Sequence, residues 1–282
     1  MSANPAFKID VDSVLKSKAP KIYKKIPRFF VNYLKRTLHQ DDINGIIERN
    51  EDKTGVEFMK ALVDNEFKLT LRIHGEENIP DQGKFIFASN HPLGGLDGIC
   101  LSAYLGEKYN GNIRYLVNDV LMHIRNLRTI FVPVNKYGAQ AKESAKAIQE
   151  AYRSDNQIIT FPAGLCSRKQ NGKIKDLPWM KSFVLKAIEH QRDIIPVHFK
   201  GKNSAFFYNF SAIRKFVGVK FNIELVYLPD EMFKNKNQTF HITFGQPIPW
   251  QSLDKSKSPS EWAQYIKEIV YSLENNKNGK NN

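Results

Sequence analysis

Short apolar segments with strand character alternate with longer helix-forming segments over residues 85–199. Strands are predicted at 85–89, 113–117, 129–134, 157–161 and 193–199, and helices between them at 99–109, 120–126, 139–153 and 180–191. A helix that connects two strands returns the chain to the same end of a sheet, so this alternation favours parallel neighbours. The sequence therefore predicts an α/β fold with a mixed, largely parallel sheet flanked by helices. In such sheets, ligands bind beyond the carboxyl ends of the strands.

Further elements are predicted on either side of this region. A helix over 55–66 precedes a strand at 68–74, and two more strands are expected at 221–228 and 240–244. A closing helix covers 260–273, with Ser258 or Ser260 near its N-terminal cap. The polar segment that follows is expected to be disordered. We therefore divide the chain into a helical N-terminal segment (1–66), an α/β domain (67–274) and a tail (275–282).

The N-terminal segment contains a basic, amphipathic stretch between residues 21 and 38. Its apolar side chains recur every three or four residues, at Ile26, Phe29, Phe30, Tyr33, Leu34 and Leu38, and lysine or arginine fills much of the remaining face. Pro27 interrupts the pattern, so either one kinked helix or two shorter helices would satisfy it. Aromatic residues beside basic ones are typical of a helix in a bilayer interface, although packing on the protein's own core is the alternative. Residues 205–217 carry five aromatics with Arg214 and Lys215, and the same two interpretations apply.

The formal net charge of +13 indicates an anionic partner, which can be a bilayer surface, an acidic carrier protein or nucleic acid. No nucleic-acid-binding module is recognisable, so nucleic acid is not expected. Cys100 and Cys166 have neither the spacing of a zinc site nor that of a disulfide framework, and no metal is expected. There is no apolar run of about 18 residues and no signal-peptide pattern. We expect a peripheral protein at the cytoplasmic face of the inner membrane.

The segment NHPLGGLDG, residues 90–98, follows the buried strand at 85–89 and contains both types of side chain that a general base needs. His91 can accept a proton near neutral pH, and Asp97 can orient the imidazole and stabilise its cation. Glycines, among them Gly94 and Gly95, allow a tight turn and a close approach by substrate. The alternative is that Asp97 merely caps the following helix and that His91 is an ordinary surface residue.

Four motifs in order make a family resemblance specific: NHPLGGLD at 90–97, TIFVPVNK at 129–136, FPAGLCSR at 161–168 and IPV at 195–197. Over roughly residues 70–250 the chain resembles the glycerolipid acyltransferase superfamily, whose best-known members acylate lysophosphatidic acid. It is most similar to the hemolysin-like branch, which includes acyltransferases of lyso-ornithine and lyso-glycine lipids. The resemblance implies a glycerol-3-phosphate acyltransferase-like fold. It also implies that His91 and Asp97 are the catalytic dyad.

The resemblance further implies a set of substrate-binding residues: Asn90, Gly94, Gly95, Asn135, Lys136, Phe161, Pro162, Ala163, Gly164 and Arg168. Three departures from the family pattern stand out. Five residues separate His91 from Asp97 instead of four, Ala163 replaces a glutamate, and Asn135 or Lys136 replaces an arginine. Because the missing charges belong to the part of the family's site thought to hold phosphate, we expect a lyso-aminolipid acceptor first and lysophosphatidic acid next.

The resemblance implies direct acyl transfer from acyl-carrier protein or coenzyme A to a lipid hydroxyl, with no bound cofactor. Backbone N–H groups at Gly164 and Leu165, or at the helix after Asp97, are candidates for stabilising the oxyanion. A covalent route through Cys166 or Ser167 is the rival mechanism, but neither residue has the strand, turn and helix context of a nucleophile elbow. The alternative function is a non-enzymatic lipid-binding or membrane-perturbing protein, suggested by the basic amphipathic segment and the hemolysin-like label.

Overall fold

The computed structural model describes residues 8–18, 20–134, 141–170, 172–219 and 221–274. Within these ranges a seven-stranded sheet forms the centre of the molecule, with the strand order β1-β9-β8-β2-β5-β3-β4. The strands are, in chain order, β1 (Thr70–His74), β2 (Phe85–Ser89), β3 (Ile113–Asn118), β4 (Phe131–Val134), β5 (Gln157–Thr160), β6 (Arg168–Gln170), β7 (Lys173–Lys175), β8 (Asp193–Lys200) and β9 (Thr239–Phe244). Strands β6 and β7 form a separate antiparallel hairpin.

Strands β8, β2, β5, β3 and β4 run parallel to one another, and β1 is parallel to β9. Within the described sheet, the pair formed by β8 and β9 is the single antiparallel junction. The predicted mixed, largely parallel sheet is thus confirmed.

The helices are α1 (Val11–Lys18), α2 (Pro20–Tyr23), α3 (Arg28–Thr37), α4 (Gln40–Arg49), α5 (Gly55–Ala61), α6 (Leu96–Lys108), α7 (Ala141–Arg153), α8 (Ser182–His190), α9 (Ala205–Phe216), α10 (Leu228–Lys234) and α11 (Pro259–Ser272). They cover both faces of the sheet, as the alternation of side chains along β2 requires. Phe85 and Phe87 pack in one core with residues of α5 and α6. Ile86 and Ala88 pack in a second core with residues of α7, α8 and α11.

The first helices divide at Pro27, as the two-helix interpretation expects. Helix α2 ends at Tyr23, Pro27 occupies the N-cap of α3, and Val31 is the buried residue of α3. None of the described helices combines the length and apolar character needed to cross a membrane. The predicted boundary at residue 66 stays a prediction, and the tail at 275–282 lies outside the described residues.

The predicted strand at 221–228 is wrong. Residues Ile223–Tyr227 form a 3-10 turn that leads directly into α10. Pro229 lies in the first turn of that helix, where a missing N–H costs nothing, and the acidic Asp230 and Glu231 suit its N-terminal dipole. The helix predicted at 120–126 is likewise two short 3-10 turns, Asp119–His123 and Arg125–Leu127. The capping prediction is confirmed for Ser258, which forms a capping box with Glu261.

Candidate active site

His91 lies two residues after β2, at the carboxyl end of the central strand. The preceding residue, Asn90, fixes this position through a two-way contact with β8. Its side-chain amide donates to the Phe199 carbonyl at 2.9 Å, and its Oδ1 accepts from the Phe199 N–H at 2.7 Å. Asn90 is buried, and its two polar atoms are both engaged by the β8 backbone. It therefore holds the start of the loop that carries His91 against the sheet.

Asp97 is fully buried in the first turn of α6 and lies against His91. Its Oδ2 accepts from His91 Nδ1 at 2.9 Å, from the Leu93 N–H at 2.9 Å and from the Gly94 N–H at 3.2 Å. Its Oδ1 accepts from the Gly98 N–H at 2.9 Å. The carboxylate thus holds the imidazole and closes the loop between the two residues. Asp97 is not the N-cap of α6, since that position belongs to Gly95.

The loop between His91 and Asp97 makes a left-handed turn at Gly94, where φ is 77°. A Cβ atom there would lie 3.0 Å from Leu228 and 3.1 Å from Cys166, so the position favours glycine by conformation and by space. Gly95 is different, because a Cβ there would contact only Met232, at 3.9 Å. Gly94 is therefore required by the loop, whereas Gly95 is not.

The environment of His91 raises its pKa above the usual value of 6.5. Burial opposes the charged imidazolium, but the charge and hydrogen bond of Asp97, with the charge of Asp176, outweigh that effect. For Asp97, burial favours the protonated form, yet His91 and the backbone N–H donors lower its pKa below the usual value. Asp97 therefore remains a carboxylate at neutral pH. His91 Nδ1 is engaged by it, and Nε2 has no hydrogen-bond partner in the described part of the chain.

Phe161 directly follows β5, the parallel neighbour of β2, and lies over the imidazole. The two rings stack with centroids 4.1 Å apart at 30°. The next three predicted residues form a turn: the Pro162 carbonyl accepts from the Met180 N–H, and the Gly164 N–H donates to the Phe161 carbonyl at 2.9 Å. Ala163 packs in the second core, with Trp179 and Phe183. The parallel pairing of β2 with β5 thus brings the first and third motifs together.

The end of the third motif is committed to internal contacts. Arg168 is 2% exposed and pairs with Glu224 at 3.0 Å, while its guanidinium also donates to the Cys166 carbonyl at 2.7 Å. Burial raises the pKa of the Cys166 thiol to about 11, so it is protonated at neutral pH. Ser167 donates its hydroxyl to Asp176 at 2.6 Å and its N–H to the His91 carbonyl at 2.7 Å. These contacts do not favour either residue as a nucleophile.

Asp176 is not among the predicted site residues, yet it contacts both motifs. Its Oδ1 accepts from the His91 N–H at 3.2 Å as well as from Ser167, and its Oδ2 accepts from the Trp179 indole at 2.9 Å. Helix α11 supports it from outside: Lys267 Nζ donates to the Asp176 carbonyl at 2.8 Å, and the Asp176 N–H donates to the Tyr271 hydroxyl at 2.7 Å. The sequence offers one signal, an isolated acid in the basic segment KIKDLPWMK.

Asn135 and Lys136, the remaining predicted residues, lie outside the described residues. Over the ranges that the structure describes, no three His, Cys, Asp or Glu side chains are grouped to hold a metal ion. The described geometry therefore consists of a buried carboxylate, an oriented imidazole and an aromatic ring over it. This arrangement can remove a proton from a hydroxyl and return it to a leaving group.

Comparison with known proteins gives three findings. The family model described as Acyltransferase matches residues 13–279. Two curated relatives are each called lyso-glycine lipid O-acyltransferase. The one from Bacteroides thetaiotaomicron is 52% identical over 97% of this chain and 100% of its own length, and the one from Phocaeicola vulgatus is 51% identical over 97% and 98%. The crystal structure of the 1-acyl-sn-glycerophosphate (LPA) acyltransferase PlsC from Thermotoga maritima aligns over 96% of this chain and 95% of its own, with a TM-score of 0.48 and 16% identity.

Proposed function

Because this chain belongs to the Acyltransferase family, we propose that it transfers a fatty acyl group from a thioester donor to the hydroxyl of a lyso-aminolipid. Lyso-glycine lipid is the favoured acceptor. The observation that carries this choice is the 52% identity to a lyso-glycine lipid O-acyltransferase over the whole length of that relative.

His91 is the general base in this proposal. Its Nε2 takes the proton of the acceptor hydroxyl while the hydroxyl oxygen attacks the thioester carbonyl carbon. The tetrahedral intermediate then collapses and the carbon–sulfur bond breaks. The leaving thiolate receives the proton from the imidazolium. The products are an ester and a free thiol, and no residue of the protein is acylated.

Asp97 stabilises the imidazolium that exists between these two proton transfers. Its Oδ2 holds Nδ1 at 2.9 Å, which directs Nε2 away from the carboxylate. Burial raises the pKa of Asp97, but the charge and hydrogen bond of His91, together with the backbone N–H donors, bring that pKa below its usual value. The dyad therefore cycles a single proton between acceptor and leaving group.

The Leu165 N–H is our candidate donor to the oxyanion. The N–H groups of Gly164 and Gly98 are already bonded, to the Phe161 carbonyl and to Asp97. The Leu165 N–H has no partner among the described residues, and Ser167, two residues on, is bonded to the His91 carbonyl. One well-placed backbone donor contributes roughly 3 kcal/mol to the transition state in other enzymes.

Charge at the third motif favours an aminolipid over a phosphate monoester. A phosphate monoester is best held by an uncommitted guanidinium. Arg168 is buried and already paired with Glu224, so its charge is matched inside the protein. Lysophosphatidic acid is therefore the acceptor against which the proposal is tested.

We propose acyl-carrier protein or coenzyme A as the carrier of the acyl group, and the cytoplasmic face of the inner membrane as the place of reaction. Both carriers are anionic, and so is the membrane surface, which suits a chain of net charge +13. Presenting each acylated carrier to the purified protein separates the two donors.

The test is acyl transfer by the purified chain with lyso-glycine lipid, lyso-ornithine lipid or lysophosphatidic acid in mixed micelles. We expect the diacyl product from lyso-glycine lipid, a large loss in His91→Ala, and unchanged turnover in His123→Ala, which changes an exposed histidine outside the site. Lipid extracts of cells with and without the gene provide a second measurement. Turnover of lysophosphatidic acid alone would contradict the acceptor assignment, and full activity in His91→Ala would contradict the mechanism.

A further inference from the structure

Helix α9 and the turn after it present an apolar rim to solvent, made of Phe206, Ile213, Phe216, Val217, Phe221 and Ile223. Phe216 is 92% exposed and Phe221 is 82% exposed. The opposite side of α9 is buried through Phe207, Tyr208, Ser211 and Arg214. The helix therefore has one face packed against the protein and another that exposes large apolar side chains to solvent. Several large apolar side chains exposed on one short segment indicate an interaction site.

The apolar rim is held in shape from inside by Arg214. This guanidinium donates to the Val219 carbonyl at 2.6 Å and to Asn222 Oδ1 at 3.0 Å, and it pairs with Glu224 at 2.7 Å. The bilayer interpretation of residues 205–217 predicts Arg214 at the level of lipid headgroups, whereas the structure buries this residue, as the core-packing alternative expects. Its charge therefore braces the turn, while the neighbouring Lys215 is exposed.

The apolar rim continues onto α3 through aromatic contacts. The Tyr33 and Tyr227 hydroxyls are 2.9 Å apart, and the Tyr227 ring contacts Phe206 at a centroid distance of 5.0 Å. Phe30 lies beside Tyr33, and Phe29 is 73% exposed. Just before α3, Lys24 and Lys25 are exposed, so basic side chains accompany the aromatic ones.

The apolar rim is also fixed to the third motif. Glu224, which pairs with Arg214, pairs with Arg168 through the same carboxylate. Phe207 and Tyr208, on the buried side of α9, pack against Cys166. A surface that contacts this rim is therefore close in structure to the residues that follow the FPAG turn.

We propose that the apolar rim inserts into an anionic lipid bilayer, with Phe216 and Phe221 as its deepest side chains. The inference rests on the proposed function, since a lipid acceptor must be reached at its membrane. A bilayer fits better than a second protein because the chain carries a net charge of +13 and because exposed lysines lie beside the aromatic side chains. Docking there orients the third motif toward the membrane that holds the acceptor.

The test compares Phe216→Ser/Phe221→Ser with a matched control, Leu185→Ser/Tyr265→Ser, which removes exposed apolar side chains from α8 and α11. Sedimentation with phosphatidylglycerol-containing vesicles measures binding, and thermal melting checks folding. Because each buried aromatic ring contributes roughly a tenfold factor or more to partition, we expect the first variant to bind at least tenfold more weakly and the control to bind as the parent does. Acceptor presented in vesicles should then be acylated more slowly, and detergent that disperses the bilayer should restore transfer.

Equal vesicle binding by the rim variant and the parent would overturn the proposal. So would a parent dimer in solution that the rim substitutions convert to monomer without changing vesicle binding, because a second copy of the chain would then cover the rim. The measurement does not need turnover. A chain that binds vesicles through the rim but acylates none of the three acceptors would contradict the proposed function and leave this inference standing.

Discussion

Replacing Asp97 by asparagine changes the charge of the dyad while keeping its size. The carboxylate accepts from His91 Nδ1 at 2.9 Å and from the N–H groups of Leu93, Gly94 and Gly98. An amide has one acceptor oxygen. If that oxygen keeps the position of Oδ2, the new NH₂ group faces the Gly98 N–H, and this buried donor loses its partner. We expect a loss of about 1–3 kcal/mol in the free energy of unfolding from that mismatch.

The effect on catalysis follows from the charge. Two unit charges about 4 Å apart interact by about 4 kcal/mol at the effective dielectric constant that describes most protein sites. Without the carboxylate the imidazolium loses this stabilisation, which corresponds to roughly a thousandfold lower kcat. The pKa of His91 also falls, because Asp97 is its main charge-stabilising neighbour.

The assay is kcat against pH for the parent, Asp97→Asn and the control Asp155→Asn, whose side chain is exposed. Because the proposed base must be neutral, we expect parent activity to be lost as pH falls through the pKa of His91, which lies above the ordinary value of 6.5. In Asp97→Asn we expect this loss of kcat at low pH to move to a lower pH, and the maximal kcat at higher pH to fall. In addition, His91→Ala/Asp97→Asn should be no slower than His91→Ala within a few fold, since the two residues act as a unit. A maximal kcat of Asp97→Asn within tenfold of the parent, or a loss of kcat at the same pH as in the parent, would refute the reasoning.

The remaining predictions concern residues around the dyad. Asp176→Asn should lower kcat roughly tenfold to a hundredfold, a range typical of lost supporting contacts. KM should change little, because the substitution loosens the His91 backbone without touching acceptor or donor. An equal rise in KM would argue against that role. Cys166→Ala should keep transfer within a few fold, since the thiol is buried and protonated, and abolished turnover would favour covalent catalysis. Gly94→Ala should lower both the melting temperature and the activity, because alanine is strained at the left-handed φ of this position. Gly95→Ala should alter both quantities far less. A larger effect of Gly95→Ala than of Gly94→Ala would contradict the loop geometry.

The central strands and the dyad are predictable from sequence because their determinants are local. His91 and Asp97 are six residues apart, and the buried strand before them fixes where the loop begins. The position of Phe161 near His91 can be predicted from the strand order, because parallel neighbouring strands end at the same edge of the sheet. The family expected from the motifs is confirmed by the model matched over residues 13–279.

The rest depends on contacts between distant residues. Asp176 meets His91 across 85 residues, and Lys267 meets Asp176 across 91, so no local pattern announces either contact. From the sequence, Arg168 is a candidate anion-binding group. In the structure its guanidinium is paired with Glu224, which lies 56 residues later in the chain. The segment 221–228 alternates like a strand, but Glu224 must turn inward to meet two arginines, which a 3-10 turn allows.

The support that α11 gives to Asp176 has a consequence for biosynthesis. The loop carrying His91 is translated well before Lys267 and Tyr271, which hold the Asp176 segment against that loop. During the synthesis of the intervening residues, a nascent chain therefore contains His91 and Asp97 but lacks the contacts that α11 makes with Asp176. We therefore expect the Asp176 segment to be held against the His91 loop only after α11 has been translated and has docked.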